Sequence, residues 1–106
     1  MKFSEVADYL NCLGLTNKEF NIDTDIENIE FYINNLYFCS VGRWDKKSFE
    51  LFERQHGAEI SEDGKDYLTD GELWQYKVYN SLKRTVDYAV QCVKNKKLPN
   101  KAIRKW

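Results

Sequence analysis

The chain has one histidine, one proline and three cysteines in 106 residues, and each scarcity excludes a class of chemistry. With His56 alone, a Ser-His-Asp or Cys-His mechanism has to pass through that residue, and no Gly-x-Ser-x-Gly elbow supplies a nucleophile. No histidine pair, Cys-x-x-Cys or glycine-rich phosphate loop occurs, so the common zinc and phosphate motifs are missing too. The expectation is a non-enzyme with no cofactor and no metal. Cys12, Cys39 and Cys92 are odd in number, widely spaced and set in apolar stretches, which predicts three reduced, buried thiols. Apolar runs fall far short of the roughly 18 residues needed to span a bilayer. The start, Met1 to Glu5, has no signal-peptide apolar region, so the expected location is cytoplasmic, away from membranes.

What the chain does have is aromatic mass. Seven Tyr, six Phe and three Trp make up 15% of it, more than a core of this size needs, so some of them are expected to bind at a surface.

Helix punctuation recurs along the sequence. Ser4 can cap a first helix with Val6, Tyr9, Leu10 and Leu13 on one face and Gly14 as its stop. Thr16 with Glu19 forms a capping box, and Leu15 with Phe20 a hydrophobic staple, for a short second helix. From Thr24 to Val41 a third box, Thr24 with Glu27, precedes a stripe of Ile26, Ile29, Ile33, Leu36 and Tyr37. Because cap and stripe agree, helix is favoured there. The alternative is a hairpin over about 29–41 with an Asn34-Asn35 turn, which would make the fold α+β. Asp45 can open a helix ending at His56 and Gly57, and Thr69 with Glu72 can open the longest one, Asp70 to Asn95. Its stripe is Val78, Leu82, Val86, Ala89 and Val93. The predicted fold is mostly α: a single-domain bundle of four to five helices over 1–95 with a long C-terminal helix, then a basic, frayed tail over 96–106.

Charge is segregated although the net is only -1. Residues 1–42 hold two lysines against seven acids, while residues 73–106 hold nine Lys and Arg against Asp87 alone. Local potential of this kind steers charged partners. The candidate partner-binding surface is therefore Lys77, Arg84, Tyr88, Lys94, Lys96, Lys97, Lys101 and Arg104, and the candidate acidic surface is Glu59, Glu62, Asp63 and Asp66. The acidic stretch departs from a calcium loop at its first, eighth and last positions, and reads as a solvated loop. A helix-turn-helix reading of residues 6–23 fails because its second element has one base and two acids.

These features point to a small protein-binding module. The Lys, Asn, Tyr and Ile richness, with four Ala and one Pro, resembles the style of small proteins from phages and mobile elements. That implies an inhibitor of a host enzyme or defence complex, or an immunity protein for a toxin. The alternative is a nucleic-acid-binding accessory protein using the basic helix and tail, with Tyr88 and Trp106 as stacking groups. Acidic mimicry of nucleic acid by residues 1–42 and 58–72 is a third reading, and self-association is left open by the sequence.

Overall fold

The computed structural model describes all 106 residues. A 3-10 turn, Phe3–Glu5, leads into helix α1, Val6–Cys12, and strands β1 (Phe20–Asp23), β2 (Asn28–Ile33), β3 (Leu36–Arg43), β4 (Phe49–His56) and β5 (Glu72–Tyr79) follow. Helix α2, Leu82–Asn95, and a short strand β6, Arg104–Lys105, complete the chain. All six strands form one antiparallel sheet in the order β1-β2-β3-β4-β5-β6, so each strand lies beside its sequence neighbours. The predicted helical bundle, and with it the description as a small helical domain, is overturned: this is a small, sheet-rich domain with two α-helices.

The physical reason lies in what the capping signals close. Thr16 and Glu19 do bond, Thr16 N–H to Glu19 Oε1 at 2.9 Å, but the turn they close releases the chain extended at Phe20. Residues 24–27 form the β1–β2 turn instead of a helix start; Asp23 accepts from Asp25 N–H at 3.0 Å, and Ile26, expected in a core stripe, is exposed. Asn34 and Asn35 both take positive φ, 52° and 67°, as a two-residue hairpin turn requires, and join β2 to β3. Asp45 caps a turn as well, accepting from Lys47 N–H at 2.9 Å and Ser48 Oγ at 2.7 Å between β3 and β4. Thr69 accepts from Glu59 N–H at 2.9 Å within the long loop, and the residues after it run extended as β5.

The last helix is therefore shorter than the periodicity predicts. It begins at Leu82 under a Ser81 cap whose side chain accepts from Arg84 N–H at 3.2 Å, and it ends at a left-handed Lys96. From Leu82 onward the predicted stripe is buried: Leu82, Val86, Ala89 and Val93 all face the core, with Val90 and Cys92 beside them. They cover one face of the sheet, meeting Ile29, Phe31, Cys39, Val41 and Leu51. Helix α1 adds Val6 and Leu10, both fully buried, and its Gly14 stop is present at φ 90°. The Tyr9 hydroxyl donates to the Asp87 carboxylate and pins α1 to α2. Segment 96–106 returns to the sheet, where β6 pairs with β5 through Trp74↔Lys105 and Gln75↔Arg104. Neither helix is long and apolar enough to cross a membrane.

One of the three thiols also departs from expectation. Cys39 and Cys92 are buried, with burial pushing both thiols up, but Cys12 is exposed at the end of α1. A thiol reagent followed by mass spectrometry should add once to the native protein, at Cys12, and three times in denaturant. Leu10→Ala, which empties the contact between α1 and the sheet, should cost about 2–5 kcal/mol in a denaturant titration. The hydroxyl of Tyr9 is held above its ordinary value of 10.0, first by its hydrogen bond to Asp87. Its contribution to folding is complete below that value and is lost as pH rises through the raised one. Tyr9→Phe should accordingly cost about 1 kcal/mol near neutrality and flatten the alkaline part of the stability curve.

Candidate functional site

Alternation along the strands divides the sheet into two unlike faces. Cys39, Val41, Leu51 and Glu53 point toward the helices, so Ser40, Gly42, Glu50, Phe52 and Arg54 point the other way. No helix covers that second face. A groove of about 500 Å³ lies on it, walled by Ile26 and Glu27 of the β1–β2 turn on one side and by Tyr67, Thr69 and Asp70 of the long loop on the other.

Register builds the groove floor in two rows. Asn28, Gly42 and Glu50 stand opposite one another across β2, β3 and β4, and Glu30, Ser40, Phe52 and Gln75 form the next row. Gly42 keeps the floor low: a Cβ there would stand 3.2 Å from Asn28 Oδ1 and 3.3 Å from Phe52 Cε1. A bulge at Tyr76 lets both Tyr76 and Lys77 leave the groove face, so Gln75 remains under it at 1% exposure. Gln75 Nε2 donates to Glu50 Oε1 at 3.3 Å, and Tyr32 Oη donates to Glu30 Oε2 at 3.2 Å. Each carboxylate thus keeps one oxygen without a partner in the protein. Burial raises the Glu50 carboxyl above its ordinary range, against the opposing pull of Gln75 and Arg54. Ser40 Oγ and Tyr37 Oη share one hydrogen bond of 2.9 Å, so one hydroxyl proton of the pair is left over. Burial also raises the Tyr37 hydroxyl, which stays protonated at neutral pH.

Beyond the groove the same face carries an aromatic rim. Arg104 stands opposite Gln75 on β6, and its guanidinium lies 5.5 Å from the Trp44 ring and 5.9 Å from the Trp106 ring. The two indoles are 5.8 Å apart and remain 36% and 51% exposed.

On the helix side a buried hydrogen-bonded cluster closes the end of β4. Glu53 is fully buried, and its Oε1 accepts from Tyr76 Oη at 3.0 Å and His56 Nε2 at 2.6 Å. Its Oε2 accepts from Gln55 N–H at 2.7 Å. His56 stacks on Trp74 with ring centroids 3.3 Å apart. Sequence reading places His56 at a helix end; it is instead the last residue of a strand, bound to an acid three residues back. Both oxygens of Glu53 accept hydrogen bonds, so the cluster fastens β4 to β5.

The residues of the candidate partner-binding surface are dispersed. Lys77 lies on β5 with its ammonium 5.4 Å from the Tyr88 ring, and Arg84 lies 4.3 Å from Tyr79, so Lys77, Arg84 and Tyr88 do share one corner. Lys94 donates to the Leu13 carbonyl at 3.0 Å, which commits it to the turn after α1. Lys96, Lys97 and Lys101 are exposed after the helix, and Arg104 stands on the opposite face of the sheet. Glu59, Glu62, Asp63 and Asp66 lie in the long loop, where Asp63 accepts from Ser61 Oγ at 2.6 Å and from Lys65 N–H at 3.0 Å. Those bonds lower its carboxyl below the ordinary range. Sequence reading missed the groove residues altogether, although Phe49-Glu50-Leu51-Phe52 and Trp74-Gln75-Tyr76-Lys77-Val78 alternate in the manner of strands with two unlike faces.

No protein-family model, curated protein or solved structure matches the chain.

Removing the buried acid tests this cluster. Glu53→Ala leaves Tyr76 and His56 only their 3.1 Å hydrogen bond with each other, strands the Gln55 N–H, and should cost about 1–3 kcal/mol in chemical denaturation. Glu53→Gln, whose amide oxygen still accepts from Tyr76, should cost clearly less.

Proposed function

We propose that this chain is a protein-binding module that seats its partner across the uncovered face of the sheet. The observation that carries this reading is the combination, on that one face, of a groove with unbonded polar atoms and an exposed aromatic rim, Trp44 and Trp106 around Arg104. Aromatic and arginine side chains beside a concavity are what dominate the energetics of protein interfaces. The groove alcohols, Ser40 and Thr69, have no imidazole beside them, because His56 is bound to Glu53 on the helix side. The module therefore acts by occupancy, as an inhibitor or immunity protein does, covering a surface of its target.

A nucleic-acid partner is less well supported. Glu27, Glu30, Glu50 and Asp70 line the groove and repel phosphate. The corner of Lys77 and Arg84 remains for such a partner, with its cations already set against Tyr88 and Tyr79.

Quantitative affinity capture with matched variants tests the choice. A protein retained by the wild type and by Arg84→Glu, but reduced about tenfold or more by Phe52→Ala with Trp106→Ala in a protein of unchanged circular dichroism, supports the sheet face. Retention that ignores the sheet-face changes and disappears with Arg84→Glu overturns it. So does DNA or RNA binding that weakens by about 0.9 log units per log unit of salt for each phosphate contacted.

A further inference from the structure

Resting on the sheet-face reading, we infer that the groove receives a basic side chain of the partner protein, an arginine inserted over β3 between Glu30 and Glu50. Four carboxylates, Glu27, Glu30, Glu50 and Asp70, line the groove against two guanidiniums, Arg43 and Arg54, leaving two negative charges uncompensated. Arg43 is bonded to Glu27, so the excess falls on the other carboxylates. Glu30 and Glu50 stand on strands two spacings apart and one row out of step, a diagonal of about 12 Å at the backbone. Between them β3 contributes only a hydroxyl, Ser40, and a glycine, Gly42, to the groove lining; Ser40 is buried and Asn28 Oδ1 and Phe52 Cε1 close in over Gly42, so the free volume lies above these side chains.

The unmet bonds match this occupant. Glu30 Oε1 and Glu50 Oε2 accept from nothing in the protein. A guanidinium, with five N–H donors in a planar fork, is suited to bridging two carboxylates while lying on an aromatic ring such as Phe52. The chain already places one guanidinium near that ring, Arg54 at 5.9 Å. A neutral or acidic side chain would leave the carboxylates unanswered, and an ammonium would satisfy them without the planar contact.

The probe is N-acetyl-arginine methylamide, titrated into isotope-labelled protein and followed by amide chemical shifts. Saturable shifts confined to the neighbourhood of Ser40, Gly42 and Phe52 are expected. N-acetyl-citrulline methylamide, nearly the same shape without the charge, should leave those amides in place. Glu30→Gln with Glu50→Gln, which keeps the volume of both side chains, should weaken the arginine response about tenfold or more. An equal response to citrulline, shifts elsewhere on the molecule, or indifference to the double substitution would overturn the inference. If the arginine probe fails while a captured partner still depends on Phe52 and Trp106, the basic-side-chain inference falls and the sheet-face reading stands. If both fail, both fall.

Discussion

The structure depends on one packing contact: the apolar stripe of α2 against a single face of a continuous six-stranded sheet. Leu82, Val86, Ala89, Val90 and Val93 are buried there, each removing apolar surface from water against Ile29, Phe31, Val41 and Leu51. A chain of this length has two short helices with which to cover its sheet, and both lie on the same side. Everything distinctive about the other face follows from that asymmetry. Its residues alternate with the core residues of the same strands, so the packing beneath the groove sets where its floor lies.

Strand β4 shows how closely the two faces are coupled. Leu51 and Glu53 look inward while Glu50, Phe52 and Arg54 look outward. The inward acid is costly unless fully bonded, and Tyr76, His56 and the Gln55 N–H complete its coordination. Those bonds fix the end of β4 and the start of β5, and the same two strands carry Glu50, Phe52 and Gln75 into the groove floor. A polar network inside the core thereby sets the position of the groove outside it.

How much of this was legible in the sequence differs from element to element. The stripe from Leu82 to Val93 and the Gly14 stop stand where periodicity and glycine preference put them. The bundle does not form, because Ser, Thr and Asp side chains bond to nearby backbone N–H groups in turns as readily as at helix starts. Thr16 and Asp45 make capping-type bonds in the structure and Thr69 bonds across its loop to the Glu59 N–H, and none of them opens a helix. The extended nature of β5 was visible in the alternation from Trp74 to Val78, where aromatic and β-branched residues recur at every second position. The groove was not legible, since its floor comes from four strands whose register is set by pairing between distant residues and by bulges near Tyr32 and Tyr76.

The nearest-neighbour order of the sheet has a kinetic meaning. From β1 to β5 every pairing closes over a turn or a single loop, so the entropy lost at each closure is small and each hairpin templates the next. The two-residue Asn34-Asn35 link is the shortest of these and is already bent in the sense that strand twist demands. The β5–β6 pairing is the exception, since all of α2 lies between its two strands and its closure carries the largest entropy cost. Because the two faces alternate along the same strands, each closure sets a strip of both at once, and the aromatic rim at β6 is the one part of the surface whose placement rests on the longest closure.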